Sequence, residues 1–527
     1  MLLPRDFIGR CVRSFPEKVA CIDGARHLGW REIDERSSRL GAGLQGLGIG
    51  KGDTVAILAH DHVELLEHWY ACSKIGALRT GVNWRYAPRE MLHIIRDSDA
   101  RAIIVQENCV ASLSDYLSEL RDEGRELIGF GAGHGLPVDY ETLVRESAPD
   151  PELPALDEDD LLAVSYTTGT TGLPKGVLWT QRNVREMLVH TVISAGFRHE
   201  DVWLNPTPGA GIPILYNVYG MVNGMTTVLP GGDFEPRRCL ELMERHRVTS
   251  TVLVVTMLQK LVEEAQASDF DTSALRLMCY GAMPATPALL RAAYETFGCE
   301  FQQWYGSTEG TGGFFTLLRP DDHRRALVGE SDLLSSVGTP PLHVEVSVRD
   351  PETGKEVEVG EAGEVWVSGD VVMKGYLNRP EEDADALSGR WLRTGDMGRL
   401  DEQGYLYLGD RKKFLLVSGG YNVYPTVVEN VLAEHPAVRE VVVVGAPHPQ
   451  WGEAVVGVVS LRPGKEAEPQ ELIDFCRNKV GKWEVPKHLE IVDELPKGAT
   501  GKLQKHEVRD RFRRQPESLP WMSSVGS

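Results

Sequence analysis

The strongest constraint on the fold is an alternation of short apolar runs with helical patterns, which continues to about residue 340. The run TVAIL (54–58), for example, precedes an amphipathic stretch from Val63 to Ile75. Strands that alternate with helices at this spacing form mostly parallel sheets with helices on their faces. The sequence therefore predicts an α/β fold. Further runs of the same kind are RAIIV (101–105), TTVLP (226–230), STVLVV (250–255) and LRLMCY (275–280).

From about residue 340 the pattern changes to alternation of apolar and polar residues. The segments HVEVSVRD (343–350), GEVWVSG (363–369) and GYLYLGD (404–410) show it, and Gly-rich turns separate them. Such alternation is typical of antiparallel strands with one face on a core. It predicts a small β subdomain at about 340–410, at the end of a large N-terminal domain spanning residues 1–410.

After GDRKK (409–413) the helix and strand signals restart. They predict a small α+β domain over residues 414–515. The polar, Pro- and Ser-bearing residues 516–527 are expected to fray. The signals are two helical segments, VVENVLAEH (427–435) and ELIDFCRNKV (471–480), and three strands, VREVVVVG (438–445), AVVGVVSL (454–461) and HLEIVDEL (488–495).

The composition limits the classes of ligand. Of the 527 residues, 42% are apolar and 25% charged, as in globular proteins with buried cores. The formal charge is −21, and basic residues do not cluster, which argues against a nucleic-acid partner or a polybasic membrane patch. A compact anionic ligand is still compatible, because backbone N–H groups and a few cations can hold it.

The sequence also predicts a cytoplasmic protein. No uninterrupted apolar run approaches the ~20 residues that a membrane span needs, and the start, MLLPRDFIGR, is a poor signal peptide. The eight cysteines contain no CxxC pair. Their scatter fits neither a zinc site nor a disulfide scaffold.

One motif is misleading. GAGLQG (41–46) matches the GxGxxG fingerprint of dinucleotide-binding sites, which must follow a strand and open a helix. Here it ends a helical stretch that begins near Glu32, and the strand comes after it. Small residues that let this helix pack closely are the better interpretation, so a nicotinamide cofactor is not expected.

The strongest local signal is SYTTGTTGLPKGVLWT (165–180). A strand leads into a loop rich in glycine and threonine, and a second strand follows. Convergent backbone N–H groups, hydroxyls and one ammonium group predict a phosphate cradle. Pro174 and the flanking strands exclude a Walker loop. The cradle residues are Thr167, Thr168, Gly169, Thr170, Thr171, Gly172 and Lys175.

Five further motifs follow in order: CYGAMP (279–284), WYGSTEG (304–310), RTGDMGRLDEQGYLYLGDRKK (393–413), SGGYNVYP (418–425) and PKGATGK (496–502). With the Gly/Thr loop, they make the chain resemble the acyl- and aryl-CoA synthetases of the adenylate-forming superfamily over roughly residues 15–510. This resemblance implies a hinge at 411–413 and a C-terminal domain that rotates between two half-reactions. In the first, a carboxylic acid and ATP, with Mg²⁺, form an acyl-adenylate; in the second, coenzyme A displaces AMP. A homodimer is one option for the assembly.

The resemblance assigns roles in the nucleotide site residue by residue. The Gly/Thr loop, from Thr167 to Lys175, would hold the β- and γ-phosphates. Tyr305 would stack on adenine against the segment Gly281, Ala282, Met283 and Pro284. The other assignments are Thr308 at the α-phosphate, Glu309 on magnesium, Asp396 on the ribose hydroxyls, and Arg411 behind Asp396.

The resemblance places the remaining functions in the last part of the chain. Lys413 matches the hinge position. Lys502 matches the lysine that reaches the carboxylate and the α-phosphate during adenylation, which makes it a catalytic candidate with Thr308 and Glu309. The tunnel for coenzyme A would be bordered by Ser418, Gly419 and Gly420.

The chain departs from the family where the acid should bind. In NPTPGAGIP (205–213), Gly209 stands where an aromatic residue or histidine is usual. Gly209, Ala210 and Gly211 leave volume, which predicts a bulky or long hydrophobic acid. The alternative is that the loop follows a different path and another side chain fills the gap.

Three departures lie in or near the C-terminal domain. Phe414 replaces the aspartate of the hinge motif, Glu484 stands in place of a lysine, and Val427 in place of a glutamate. Each removes or inverts a charge, so one alternative is an enzyme that only forms the thioester from supplied acyl-AMP. Further alternatives are an adenylation enzyme that loads a carrier protein, a luciferase-like oxidase and a non-catalytic acyl-adenylate-binding protein.

Overall fold

The computed structural model describes residues 2–167, 173–282, 285–411, 416–418, 421–423, 425–477, 479–498 and 503–522, with the backbone alone for residues 410, 411, 417, 421 and 422. Within these ranges the chain forms two large sheets and two smaller ones, named sheets I to IV below.

Sheet I contains the strand that enters the Gly/Thr loop and the strand that leaves it. Its strands are β3 (Thr54–Leu58), β4 (Leu78–Val82), β5 (Ala100–Gln106), β6 (Glu126–Phe130), β7 (Val138–Asp139), β8 (Leu161–Thr167), β9 (Lys175–Thr180) and β18 (Gly375–Tyr376). Their order is β18-β9-β8-β4-β3-β5-β6-β7. The strands from β8 to β7 run parallel, whereas β9 is antiparallel to β8 and β18.

Sheet II carries the next motifs at the ends of its parallel strands. Its strands are β1 (Val19–Asp23), β2 (Arg26–Gly29), β10 (Val202–Leu204), β11 (Thr226–Leu229), β12 (Ser250–Val254), β13 (Leu277–Gly281), β14 (Glu300–Tyr305) and β15 (Thr316–Leu318). The order is β15-β14-β13-β12-β10-β11-β1-β2, parallel except at the two edges. The predicted α/β fold with mostly parallel sheets is confirmed.

Sheets III and IV are the smaller ones, and sheet III confirms the predicted antiparallel β unit. Its strands are β16 (Glu345–Arg349), β17 (Gly363–Ser368), β19 (Leu387–Ser388), β20 (Trp391–Leu400) and β21 (Leu406–Arg411). The strands of sheet IV are β22 (Leu416–Ser418), β23 (Tyr421–Val423), β24 (Val438–His448), β25 (Gly452–Leu461) and β26 (His488–Val492). Strands β24 and β25, which contain the predicted segments 438–445 and 454–461, pair with each other in antiparallel orientation.

Helices cover the faces of the sheets. In the described ranges they are α1 (Pro4–Ser14), α2 (Trp30–Gly46), α3 (Val63–Ile75), α4 (Pro88–Asp97), α5 (Glu107–Val110), α6 (Leu117–Asp122), α7 (Tyr140–Glu146), α8 (Gln181–Ser194), α9 (Pro213–Asn217), α10 (Gly220–Asn223), α11 (Pro236–His246), α12 (Val255–Ala267), α13 (Pro287–Phe297), α14 (Pro320–Val328), α15 (Pro380–Ala386), α16 (Pro425–Ala433), α17 (Pro469–Cys476) and α18 (Lys505–Arg514). Within those ranges, none combines the length and the hydrophobicity needed to cross a lipid bilayer.

The glycines of GAGLQG serve helix packing, as predicted. They end α2, and a Cβ atom on Gly43 would lie 2.7 Å from Leu143 Cγ, while one on Gly41 would lie 3.0 Å from Ile75 Cγ2. Larger residues would therefore push α2 away from α3 and α7.

The C-terminal segment of the described chain is packed against the protein. The expectation of a frayed tail from 516 is wrong for residues 516–522, because Leu519 is fully buried and the Trp521 indole N–H donates to the Pro447 carbonyl, 2.9 Å away. Apolar residues in this short polar segment anchor it.

All eight cysteines are free and buried.

Candidate nucleotide and acid site

The hairpin of β8 and β9 places Thr167 opposite Lys175 at the two ends of the Gly/Thr loop. Lys175 pairs with the carboxylate of Glu382 in α15, and its ammonium nitrogen lies 5.9 Å from the centre of the Tyr376 ring. Tyr376 is there because β18 pairs with β9, with Tyr376 opposite Val177. The cation at the mouth of the loop is thus held by side chains that a phosphate group could replace.

Glu309 lies on the other side of the same tyrosine. The Tyr376 hydroxyl donates to Glu309 Oε1 at 2.9 Å. Burial and this carboxylate raise the pKa of Tyr376 far above its usual value, so the phenol stays a donor. One carboxylate oxygen of Glu309 is held, and no described residue donates a hydrogen bond to the other, which can accept further bonds.

The turn that contains Thr308 and Glu309 is fixed by its backbone. The Trp179 indole N–H donates to the Thr308 carbonyl at 2.9 Å, and the Met373 N–H donates to the Glu309 carbonyl at 2.8 Å. Trp179 lies in β9 and is fully buried. Sheet I therefore positions a turn that belongs to sheet II.

Tyr305 and Asp396 are brought together from sheets II and III. The Tyr305 hydroxyl donates to Asp396 Oδ2 at 2.7 Å. Asp396 lies in β20 opposite Arg411 of β21, and its own N–H donates to Thr394 Oγ1 at 3.1 Å. An aromatic face thus lies beside a carboxylate that suits the hydroxyls of a ribose.

Gly281 and Ala282 end the neighbouring strand, β13. A Cβ on Gly281 would lie 2.4 Å from the Trp304 carbonyl oxygen, so glycine allows β13 and β14 to approach closely. Ala282 has a φ of 69°, a left-handed conformation that a residue with a Cβ adopts only under strain. Strain of this kind concentrates at binding sites.

Residues 205–212, called the acid loop below, are held by two buried side chains, Arg79 of β4 and Asp61, which follows β3. Arg79 donates to the carbonyl oxygens of Gly209 and Ala210 at 2.8 and 2.7 Å, and Asp61 accepts from the Gly209 N–H at 2.7 Å. Arg79 and Asp61 are 1% and 4% exposed. Burial raises the pKa of Asp61 to about 7 and lowers that of Arg79 to about 10.

The acid loop lies directly on β4. A Cβ on Gly81 would lie 2.0 Å from the Ala210 carbonyl oxygen. At Gly209 the space expected from the sequence is filled, because a Cβ there would lie 2.6 Å from Leu65 Cδ2 and 2.7 Å from Asp61 Oδ1. At Gly211 no atom of the described residues lies within 4 Å of a Cβ, so this position has room for a larger group.

Several residues singled out in the sequence are not part of this cluster. Ser418 is buried in sheet IV, where it pairs with Gly452 of β25. Glu484 accepts from the Gly481 N–H at 2.7 Å, and Val427 is 41% exposed on α16. The following residues lie outside the described part of the chain: Thr168, Gly169, Thr170, Thr171, Gly172, Met283, Pro284, Lys413, Phe414, Gly419, Gly420 and Lys502, together with the side chain of Arg411.

Sequence reasoning missed five residues of the cluster: Asp61, Arg79, Trp179, Tyr376 and Glu382. Two of them had a signal. Arg79 is a charged residue inside a strand-like run, and Asp61 follows the carboxyl end of β3, the edge at which α/β sheets bind ligands. Trp179, Tyr376 and Glu382 had no such signal, because they reach the site through contacts between segments that are far apart along the chain.

Comparisons with known proteins identify the family. Residues 9–377 match the AMP-binding enzyme family, and residues 427–502 match the AMP-binding enzyme C-terminal domain. The chain therefore belongs to the family of AMP-binding enzymes. Within that class it is an AMP-forming acid–thiol ligase of the acyl-CoA synthetase type.

Similar proteins cover nearly all of the chain. A feruloyl-CoA synthase from Amycolatopsis sp is 34% identical over 509 residues, 95% of this chain and 98% of that protein. The structure of the amide bond synthetase McbA from Marinactinospora thermotolerans is 32% identical with a TM-score of 0.86, covering 97% of this chain and 100% of its own. The O-succinylbenzoate coenzyme A synthetase MenE from Bacillus subtilis, solved with ATP and a magnesium ion, is 29% identical with a TM-score of 0.83, covering 96% and 99%.

Proposed function

We propose that this enzyme is an ATP-dependent acyl-CoA ligase that converts a bulky or long hydrophobic carboxylic acid to its CoA thioester through an acyl-adenylate. The observation that carries the proposal is the meeting of Lys175 and Glu309 at Tyr376, one short loop from the Tyr305–Asp396 pair. A cation, a carboxylate of a kind that binds metals and a carboxylate that can accept from ribose hydroxyls match the parts of a magnesium nucleotide.

The nucleotide would lie along this rim. Lys175 and the Gly/Thr loop would hold the β- and γ-phosphates, with Lys175 leaving Glu382 to do so. Tyr305 would stack on adenine, and Asp396 would accept from the ribose hydroxyls. Thr308 would donate to the α-phosphate, where charge develops during the reaction.

Glu309 fits a role as magnesium ligand. Mg²⁺ is usually bound by one or two carboxylates together with phosphates and water, and Tyr376 occupies one oxygen of Glu309 while leaving the other. The described residues hold no cluster of three or more His, Cys, Asp or Glu that could hold a metal without the nucleotide. When bound, the ion would screen the charge of the phosphates.

The reaction would proceed in two displacements. A carboxylate oxygen of the acid attacks the α-phosphorus and the bond to pyrophosphate breaks, with the Lys502 ammonium group near the carboxylate and the α-phosphate. The sulfur of coenzyme A then attacks the carbonyl carbon of acyl-AMP, the bond to AMP breaks, and the thiol proton is released. Converting the carboxylate to a mixed anhydride supplies the leaving group that thioester formation needs.

The two displacements would use two arrangements of the domains. We take residues 1–410 as the N-terminal domain, 411–413 as the hinge around Lys413 and 414–515 as the domain that rotates. Ser418, Gly419 and Gly420 would then border the path of coenzyme A. The altered charges at Phe414, Glu484 and Val427 support the alternative that the enzyme has lost the first displacement and performs only the second.

A panel of acids tests the proposal. Each acid is assayed for ATP–pyrophosphate exchange and, separately, for product with coenzyme A, with an amine or with a carrier protein as acceptor. Exchange together with a CoA thioester is expected. Exchange followed by transfer to the amine alone would make the chain an amide-forming enzyme, as the structurally similar amide bond synthetase McbA is named. Product from supplied acyl-AMP without exchange would establish the half-active alternative, and no turnover in any assay would refute the proposal.

A further inference from the structure

Trp304 and Tyr305 are neighbours at the carboxyl end of β14, and successive residues of a strand point to opposite faces. Tyr305 faces Asp396 and the nucleotide rim. Trp304 is 8% exposed, and its ring centre lies 5.4 Å from that of Phe314 and 5.9 Å from that of Tyr216. Its indole N–H donates to Gln302 Oε1 at 2.7 Å, which fixes the ring.

Tyr216 lies in α9, which directly follows the acid loop. Its ring stacks on Tyr219 at 5.8 Å and meets Trp304 edge-on. The side chain is only half-buried although aromatic rings surround it, and its hydroxyl forms no hydrogen bond with any described residue. Burial raises the pKa of Tyr216, so the phenol keeps its proton and can donate.

Tyr216 follows Gly211 by five residues along the chain. Ile212, the last residue of the acid loop, contacts the loop that follows Glu309, since a Cβ on Gly312 would lie 2.5 Å from Ile212 Cγ2. The acid loop, α9, the end of β14 and the Thr308–Glu309 turn are therefore contiguous. A pocket that opens at Gly211 on the face of β14 away from Tyr305 would therefore meet Trp304 and Tyr216, whose rings contact each other.

We propose that Trp304 and Tyr216 form the end wall of the acid pocket, so that the substrate is a bulky aromatic acid rather than a long-chain one, and that its polar ring substituent accepts a hydrogen bond from the Tyr216 hydroxyl. This inference rests on the proposed ligase function. Flat rings favour edge and stacked contacts with other rings. A phenol among apolar groups is unfavourable until a partner arrives, and a fixed indole leaves no room for a long alkyl chain.

The first test uses a pair of acids that differ by one hydroxyl group. Cinnamic acid and its 3- and 4-hydroxy derivatives are assayed with the wild type and Tyr216→Phe. We expect the variant to lower the ratio of kcat/KM for the preferred hydroxylated acid to that for cinnamic acid by roughly 5–10-fold, while the KM for ATP stays the same. Tyr219→Phe is the matched control: Tyr219 is fully buried with its hydroxyl facing Thr191, so this ratio should not change. An unchanged ratio in Tyr216→Phe would overturn the assignment of Tyr216.

The second test concerns the length of the pocket. Trp304→Leu should raise kcat/KM for dodecanoic acid relative to cinnamic acid by ~10-fold or more, because removing the indole opens the wall. Trp304→Phe keeps an aromatic ring and is therefore less disruptive to folding. It should show a smaller gain in the same direction. A wild type that prefers dodecanoic acid would refute the end wall while leaving the ligase function intact. Absence of pyrophosphate exchange with every acid would instead refute the ligase function itself.

Discussion

The nucleotide half and the acid half of the candidate site are built in different ways. In the nucleotide half, Lys175, Glu309 and Asp396 lie on a rim, and their present partners, Glu382 and two tyrosines, are side chains that a ligand can replace or join. In the acid half, the loop at Gly209 is bound by Arg79 and Asp61, which are buried and have no access to water. The first half can adapt to a charged ligand, whereas the second is set before any ligand binds.

Buried charges explain this rigidity. Moving a charge from water into the protein interior is unfavourable unless the charge is paired and hydrogen-bonded. Removing one partner therefore lowers the free energy of unfolding by more than the intact arrangement adds to it. Sheet I supports both halves, but Arg79 and Asp61 are buried, whereas the charged side chains of the nucleotide rim are partly exposed. Five substitutions separate the two halves, beginning with the largest expected effect.

Lys502→Ala should slow adenylation by ~10²–10³-fold, because a preorganised cation near the developing charge is lost. Transfer to coenzyme A from supplied acyl-AMP should change much less. Pyrophosphate exchange and thioester formation, measured separately, check this. Lys497→Ala is the control, since Lys497 belongs to the same segment but pairs with Glu440 at 2.8 Å. Equal losses in both assays would contradict a role confined to adenylation.

Arg79→Met should lower the free energy of unfolding by about 3 kcal/mol, because the carbonyl groups of Gly209 and Ala210 lose their buried donor. Denaturant titration measures the loss, and kcat/KM for the acid should fall more than the affinity for ATP. Arg101→Ala is the comparison: this arginine pairs with Asp53 but is half exposed, so about 0.5 kcal/mol is expected. A stable variant with normal acid kinetics would show that the acid loop does not need this clamp.

Asp61→Asn tests the clamp through pH. The pKa of Asp61 is raised to about 7 in the folded protein, so between pH 4 and 7 the unfolded chain loses this proton and the folded one keeps it. The stability of the wild type should therefore fall relative to Asp61→Asn as the pH rises over that range, by roughly 4 kcal/mol, and level off above it. Denaturant titrations at several pH values measure this, and parallel profiles would be inconsistent with a neutral Asp61.

Asp396→Ala should weaken ATP binding ~10–100-fold, because the ribose would lose a charged acceptor. Calorimetric titration of the nucleotide measures it. Glu402→Ala, an exposed acid in the turn between β20 and β21, should bind ATP as the wild type does. Unchanged affinity in Asp396→Ala would remove Asp396 from the nucleotide half.

Tyr376→Phe has the smallest expected effect. Loss of the hydroxyl that donates to Glu309 should slow adenylation ~5-fold and raise the magnesium concentration needed for half-maximal rate, with no change in KM for the acid. Tyr294→Phe removes a comparable hydroxyl, 3.3 Å from Glu300 and outside the site, and should leave the rate unchanged. If both variants behave alike, Tyr376 does not position Glu309.

The two halves also differed in how far sequence reasoning could reach. The nucleotide residues occur in short motifs that carry the family resemblance, and that resemblance predicted that Thr308, Glu309 and Asp396 share one site. The acid half could not be read in this way. The spacing of Gly209 and Gly211 suggested volume at both, but Leu65 and Asp61, from a different part of the chain, fill one position and leave the other open.

The amino-acid sequence by itself determined the α/β class, the antiparallel unit after residue 340 and the family, because periodicity, turn residues and motif order are local properties. Tertiary structure alone decided that Tyr376 joins Lys175 to Glu309, that Arg79 holds the acid loop, and that Trp304 meets Tyr216. Each of these contacts depends on the pairing of strands and the packing of loops that are far apart along the chain. The register of these strands and the distance between these loops depend on how whole sheets are buried. No single segment of the sequence contains that information.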